Sequence, residues 1–103
     1  MQKNYTDILG NNIRLTHERF DHIAEREEMR GQANKIEETL LSPDIVKVSK
    51  YDPDVLLYYK LYENTPVTKK FLVVIAKAGE TDSFILSSFF TDKIKEGETQ
   101  WQK

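Results

Sequence analysis

The stretch Val55-Leu56-Leu57-Tyr58-Tyr59-Lys60-Leu61-Tyr62 decides the fold, because it carries the clearest strand pattern in the chain. Successive side chains of a strand point to opposite faces, so the odd positions share one face and the even positions the other. The odd face is entirely apolar or aromatic, whereas the even face places Lys60 between Tyr58 and Tyr62. The pattern predicts a strand with large side chains on both faces.

Three further stretches predict strands, at residues 45–48, 70–77 and 83–90. The second of them is a nearly continuous apolar run, which is typical of a central strand covered on both sides. Turn-forming residues join the strands at 51–54, 63–66 and 78–82. Short connections favour antiparallel neighbours, so we expect a mainly antiparallel sheet.

The N-terminal part predicts a short strand at residues 13–15 and then two helices. Thr16 is a good N-cap for a first helix over residues 17–29. A second helix begins near Gln32 and ends before Pro43, and its apolar side consists of Ala33, Ile36, Leu40 and Leu41. We therefore expect an α+β fold, with two N-terminal helices packed on one face of a curled sheet of four to five strands.

The bulk properties predict one domain over residues 1–103, with residues 1–11 as a flexible lead-in. The chain has no cysteine, which removes disulfides and thiolate chemistry and fits a reducing compartment. No apolar segment resembles a signal peptide or a membrane span, so we expect a cytoplasmic protein without a membrane partner. The formal net charge of −2 argues against a general nucleic-acid coat but leaves room for a local basic cleft.

Both histidines lie in the first predicted helix, where Arg19, His22 and Arg26 fall at i, i+3 and i+7 and so share a face. An imidazole between two guanidiniums can transfer protons or contact a phosphate. The alternative is a solvated surface on which these cations pair with the many carboxylates nearby. His17, at the start of the helix, fits that alternative better.

Two strands carry the other candidates. Lys60 can bind an anion while Tyr58 and Tyr62 stack on bases or sugars, or the three can form an ordinary wet sheet face. Ser87 shares a face with Ile85 and Phe89 by simple alternation, and it faces either a packed neighbour or a polar ligand. The sequence has no nucleophile elbow and no glycine-rich phosphate loop. The two histidines have no carboxylate at a metal-ligand spacing, so we expect no metal site.

The order of several short motifs resembles the phage-type barnase–EndoU–colicin–RelE-like (BECR-fold) nucleases of small bacterial and phage proteins. The corresponding segments are Leu15-Thr16, His22-Ile23, Arg26-Glu27-Glu28-Met29, Pro43-Asp44, Leu57-Tyr58-Tyr59-Lys60, Ser87-Ser88-Phe89, Thr91, Gly97 and Trp101. The resemblance runs from about Gly10 to Trp101. It has two departures, since Glu27 stands where a histidine is usual and Phe89 where a tyrosine is usual.

The resemblance implies a toxin-like ribonuclease that cuts RNA without a metal ion or cofactor. It assigns the catalytic positions to His22, Arg26, Lys60 and Ser87. Tyr58 and Tyr62, which flank Lys60 on its strand face, are the candidates for contacting substrate. RNA is then the expected substrate, and an immunity or antitoxin protein a candidate partner. The two departures support an alternative, a catalytically inactive RNA- or protein-binding module on the same fold. The sequence leaves the RNA target and the oligomeric state open.

Overall fold

The structure is a computed structural model that describes residues 2–65 and 68–103, so Pro66 of the predicted turn at 63–66 lies outside the described residues. Ten elements follow one another along the described residues. They are β1 Lys3–Thr6, β2 Asn12–Leu15, α1 His17–Ile23, a 3₁₀ turn Glu27–Met29, α2 Ala33–Leu41, β3 Ile45–Val48, β4 Val55–Thr65, β5 Thr68–Ala78, β6 Ser83–Thr91 and β7 Thr99–Gln102.

Within the described residues, one mixed sheet of seven strands has the order β1-β2-β6-β5-β4-β3-β7. Its neighbours are antiparallel except β2 and β6, which run parallel and pair at Arg14 and Phe84. The expected architecture of two N-terminal helices on four to five strands is therefore wrong. The sheet is larger and mixed, and two of its strands precede α1.

The strands that the sequence analysis missed are the outermost ones, β1 and β7. In β1 Tyr5 is the one buried side chain, and in β7 Trp101 is the one partly buried side chain. A short edge strand with a single inward side chain has no alternation for a pattern to detect. Residues 1–11, expected to form a lead-in, instead supply β1 and the loop that connects it to β2.

One face of the sheet, here called the helix face, carries Tyr58, Leu72 and Val74 and packs against the helices. Ile36 and Leu40 of α2 are fully buried in this core. Leu41, expected on the same apolar side, is 45% exposed because it lies about 100° around the helix from Leu40.

The opposite face, here called the loop face, carries a second cluster built on Leu57, Tyr59 and Val73. The segment 92–98 lies over part of it, and the backbone N–H of Lys95 donates to the hydroxyl of Tyr59 at 3.1 Å. Gly97 lets the same segment pass close to β3, because a β-carbon there would clash with the carbonyl oxygen of Val48. The predicted alternation of β4 is confirmed, with odd positions on the loop face and even positions on the helix face.

The loop between β1 and β2 is organised by Asp7, which is only 3% exposed. Its carboxylate accepts hydrogen bonds from the backbone N–H of Leu9 at 3.0 Å, the backbone N–H of Asn11 at 2.6 Å and the Asn11 amide at 3.0 Å. The hydroxyl of Tyr58 in β4 donates to the same carboxylate. Burial, together with this carboxylate, raises the pKa of Tyr58. Asp7 thus ties the N-terminal hairpin to the middle of the sheet.

Candidate functional site

The segment with both histidines is not one continuous helix. Thr16 caps α1 as predicted, and its hydroxyl accepts from the backbone N–H of Arg19 at 3.1 Å. The helix ends at Ile23, and Arg26 has extended backbone angles (φ −77°, ψ 122°) ahead of the 3₁₀ turn. In a continuous helix Ile23 and Met29 would point to different sides, since six residues turn the helix by about 600°. The break lets both side chains enter the helix-face core, where each is buried.

The sequence predicted that Arg26 shares a helical face with Arg19 and His22. Because of this break, it does not. Its guanidinium carbon lies over the ring of Phe89, 5.0 Å from the ring centroid. Among the side chains that the structure describes, none forms an ion pair with Arg26. A guanidinium held by an aromatic ring and not neutralised by a carboxylate is available to bind an anion.

A β-bulge in β6 decides which side chains accompany Phe89. Ser87 pairs with Ile75, and Ile85 pairs with the next residue, Ala76, so Leu86 is the extra residue of the bulge. Ile85 therefore packs in the helix-face core, whereas Phe89 and Ile75 pack in the loop-face cluster. Ser87 shares the loop face with Phe89, as expected, but not with Ile85. The bulge reverses that part of the prediction.

The open edge of β6 explains how Arg26 reaches the loop face. Beyond Phe84 no described strand pairs with β6 on the β2 side, and α1 and the 3₁₀ turn contact it instead. The chain leaves α1 beside this edge, and the Arg26 side chain passes it to lie on Phe89. Arg26 and Ser87 thus flank the same phenylalanine on the same face of the sheet.

His22 lies at the rim of a neighbouring cleft of about 480 Å³ between α1 and the start of β6. Its side chain is 64% exposed, and its Nδ1 atom lies 3.1 Å from a carboxylate oxygen of Glu25. The cleft is lined by Thr16, Glu18, Arg19, Asp21, His22, Glu25, Phe84 and Ile85. Three carboxylates against one guanidinium make this cleft a poor anchor for phosphate.

Lys60, Tyr58 and Tyr62 lie on the helix face, where α2 covers them. The ammonium of Lys60 donates to the carbonyl oxygen of Ser42, the C-cap residue of α2, at 2.8 Å. The last carbonyls of a helix lack partners within the helix, and Lys60 supplies one. Tyr62 donates to a carboxylate oxygen of Glu38 at 2.7 Å, and its pKa is raised by burial and by Glu38.

The structure therefore does not bring the four predicted catalytic residues together. Arg26 and Ser87 lie on the loop face, His22 stands at the edge of β6, and Lys60 lies on the helix face. Tyr58 is fully buried and cannot stack on a base. The physical reason is the alternation of side chains along β4. The even-numbered residues point to the helix face, whereas Tyr59 and its cross-strand partner Val73 point to the loop face.

Arg14, a second guanidinium that lies over a phenylalanine of β6, was not among the predicted site residues. Its guanidinium carbon lies 5.7 Å from the ring centroid of Phe84, and the group is paired with Asp82. The signal was present, because Arg14 stands between Ile13 and Leu15 in a predicted strand and so must face away from the core. Of the two guanidiniums that lie over phenylalanines of β6, Arg14 is therefore paired with a carboxylate, whereas Arg26 has no carboxylate partner among the described residues.

The described part of the chain contains no group of three or more histidine or acidic side chains arranged to hold a metal ion. Among the same residues, no helix has the length and apolar character needed to cross a membrane. A family model described as phage-Barnase-EndoU-ColicinE5/D-RelE like nuclease2 matches residues 1–103. No curated protein and no solved structure matches the chain.

Proposed function

The chain belongs to this phage-related BECR-like nuclease family, and from that premise we propose that it is an endoribonuclease that cleaves RNA without a metal ion. The observation that carries the proposal is the guanidinium of Arg26, which pairs with no carboxylate among the described residues and lies over Phe89, two residues from Ser87 on the loop face. A phosphate bound there meets a forked cation and a hydroxyl, the two kinds of donor that fit phosphate oxygens.

In the proposed reaction the ribose 2′-oxygen attacks the adjacent phosphorus. The bond from phosphorus to the 5′-oxygen of the next nucleotide breaks, leaving a 2′,3′-cyclic phosphate and a free 5′-hydroxyl. We assign both proton transfers to His22, which stands at the edge of β6 that the Arg26 side chain passes. Its imidazole takes the proton of the 2′-hydroxyl and returns it to the leaving 5′-oxygen. Arg26 stabilises the charge that builds up on the phosphate, and Ser87 donates a hydrogen bond to it.

Lys60 has no role in this assignment. Its ammonium already caps α2, and the sheet itself stands between it and Ser87. The resemblance placed Lys60 in the site from its position in the order of motifs, which does not distinguish the two faces of a sheet. We propose that Lys60 contributes to the stability of α2.

The experiment is cleavage of a labelled RNA by purified protein in excess EDTA, with a 2′-deoxy oligonucleotide of the same sequence alongside. We expect the RNA to be cut to products ending in a cyclic phosphate and the deoxy strand to stay intact. His22→Ala should lower kcat by about 100-fold, the usual contribution of a positioned acid or base. His17→Ala is the matched control, because both histidine side chains are 64% exposed and each pairs with one carboxylate. Cleavage that requires added Mg²⁺, or equal loss in the two variants, would refute the proposal.

A second candidate function is a binding module that retains the fold without catalysis. The carboxylates around His22 favour it, as does Glu27, an exposed residue at the position where the family resemblance expects a histidine. Such a module would bind RNA, or an immunity or antitoxin protein, through the same loop face. Saturable binding of RNA with no cleavage over long incubation would select this candidate.

A further inference from the structure

A second cavity, of about 400 Å³, opens on the loop face beyond the candidate site. Its floor is apolar and consists of Val55, Leu57 and Ile75. Ile75 pairs with Ser87 on one side and with Leu57 on the other, so the floor continues the cross-strand row that begins at Ser87. With neighbouring strands about 4.8 Å apart, Leu57 lies roughly 10 Å from Ser87 along this row.

The rim of the cavity carries an aromatic ring with almost no cover. Tyr51 is 93% exposed, whereas the next most exposed large hydrophobic residue in the described chain, Leu41, is 45% exposed. The backbone N–H of Tyr51 is held by the hydroxyl of Ser49 at 3.2 Å, which fixes the turn that presents the ring. The ring therefore adds nothing to the core and is free to stack on a planar ligand.

Two lysines share the rim. Lys50 forms an ion pair with Glu96 at 3.4 Å, but both side chains are exposed, so this pair is weak and easily exchanged for another anion. Lys95 is anchored through its backbone, and its ammonium has no carboxylate partner among the described side chains. The cavity thus combines an apolar floor, a stacking ring and an available cation.

We propose that this cavity is a nucleotide subsite that binds the RNA strand next to the cleaved bond, with a base stacked on Tyr51 and a phosphate on Lys95. The proposal rests on the proposed function, since it places the same strand along one row of the sheet. Aromatic rings interleaved with cations are the usual means of holding single-stranded nucleic acid. Because the protein as a whole has a formal charge of −2, such local contacts must replace general attraction.

The test measures binding rather than cleavage, by fluorescence anisotropy of a short 2′-O-methyl oligoribonucleotide that cannot be cut. We expect Tyr51→Ala to weaken binding about tenfold, which is the lower part of the range for one stacked base. Tyr51→Phe keeps the ring and should bind like the parent protein. Because Tyr51 is almost fully exposed, neither change should disturb folding.

Lys95→Gln should lower the dependence of log Kd on log salt by about 0.7, the change expected for one lost phosphate contact with a single strand. Lys3→Gln is its matched control, because Lys3 is an exposed lysine on β1, an edge strand of the sheet. Unchanged Kd for Tyr51→Ala, or equal salt effects in the two lysine variants, would overturn the subsite.

The cleavage assay separates this proposal from the proposed function. If the parent protein cuts RNA but Tyr51→Ala binds the uncut strand normally, the subsite is wrong and the nuclease stands. If no RNA is cut while Tyr51→Ala and Lys95→Gln still lose binding, the subsite is supported on a catalytically inactive protein. Absence of RNA binding by the parent protein at low salt would overturn the subsite.

Discussion

Arg26→Ala is expected to lower kcat for RNA cleavage by about 100-fold, the loss typical of removing one group that stabilises transition-state charge. The guanidinium lies over the ring of Phe89 and pairs with no described carboxylate, so its charge is available to the phosphate. The same change should alter the free energy of unfolding by no more than about 1 kcal/mol, because an exposed cation–π contact contributes little. Single-turnover cleavage and chemical denaturation measure the two effects separately.

Arg30→Ala serves as the matched control for this variant. Arg30 is an exposed arginine only four positions further on, and its Nε donates to the carbonyl oxygen of Ala24 instead of lying over an aromatic ring. It should cleave RNA like the parent protein. Arg26→Lys should recover part of the lost rate, since an ammonium keeps the charge but not the forked geometry. Equal cleavage by the Arg26→Ala and Arg30→Ala variants would remove Arg26 from the site.

Asp7→Ala is expected to destabilise the protein by about 4 kcal/mol, a large share of the stability of an ordinary domain. The change leaves two backbone N–H groups, of Leu9 and Asn11, and the hydroxyl of Tyr58 without their acceptor. The Tyr58 hydroxyl is buried and costs about 1–3 kcal/mol when it is left unsatisfied, whereas the two part-buried backbone groups cost less each. Urea denaturation followed by circular dichroism measures the change in the free energy of unfolding.

Tyr58→Phe removes only one of these donors and should cost about 1–2 kcal/mol. The double variant with Asp7→Ala should be less destabilised than the sum of the two single variants, because the two side chains share one hydrogen bond. Additive costs would show that this bond does not couple the N-terminal hairpin to β4. A cost below about 1 kcal/mol for Asp7→Ala would contradict the role given to its carboxylate.

The central strands could be predicted from sequence because both of their faces are buried. The alternation in β4 and the apolar run in β5 identify them without any knowledge of their neighbours. The edge strand β1 could not be predicted, since Tyr5 is its one buried side chain. The end of α1 at Ile23 also could not be predicted, because it depends on where the core must receive Met29.

The candidate site was predicted in part for the same physical reasons. Sequence alternation correctly placed Lys60 with Tyr58 and Tyr62, but nothing local to that strand says which face the helices cover. The bulge at Leu86 shifts the alternation of β6 by one residue. The predicted shared face is therefore wrong for Ile85 and correct for Ser87 and Phe89. Contacts between residues far apart in sequence, such as Arg26 over Phe89, need the tertiary structure.

The central claim, that RNA binds on the loop face, is tested most directly by locating the bound RNA on the sheet. Titration of a 2′-O-methyl oligoribonucleotide into ¹⁵N-labelled protein, followed by amide chemical shifts, maps the contact residue by residue. We expect the largest shifts on the loop face, at Ser87, Phe89 and Ile75, with little change at Lys60 or Ser42. Shifts concentrated at Lys60, Ser42 and α2, with the loop face unchanged, would contradict it.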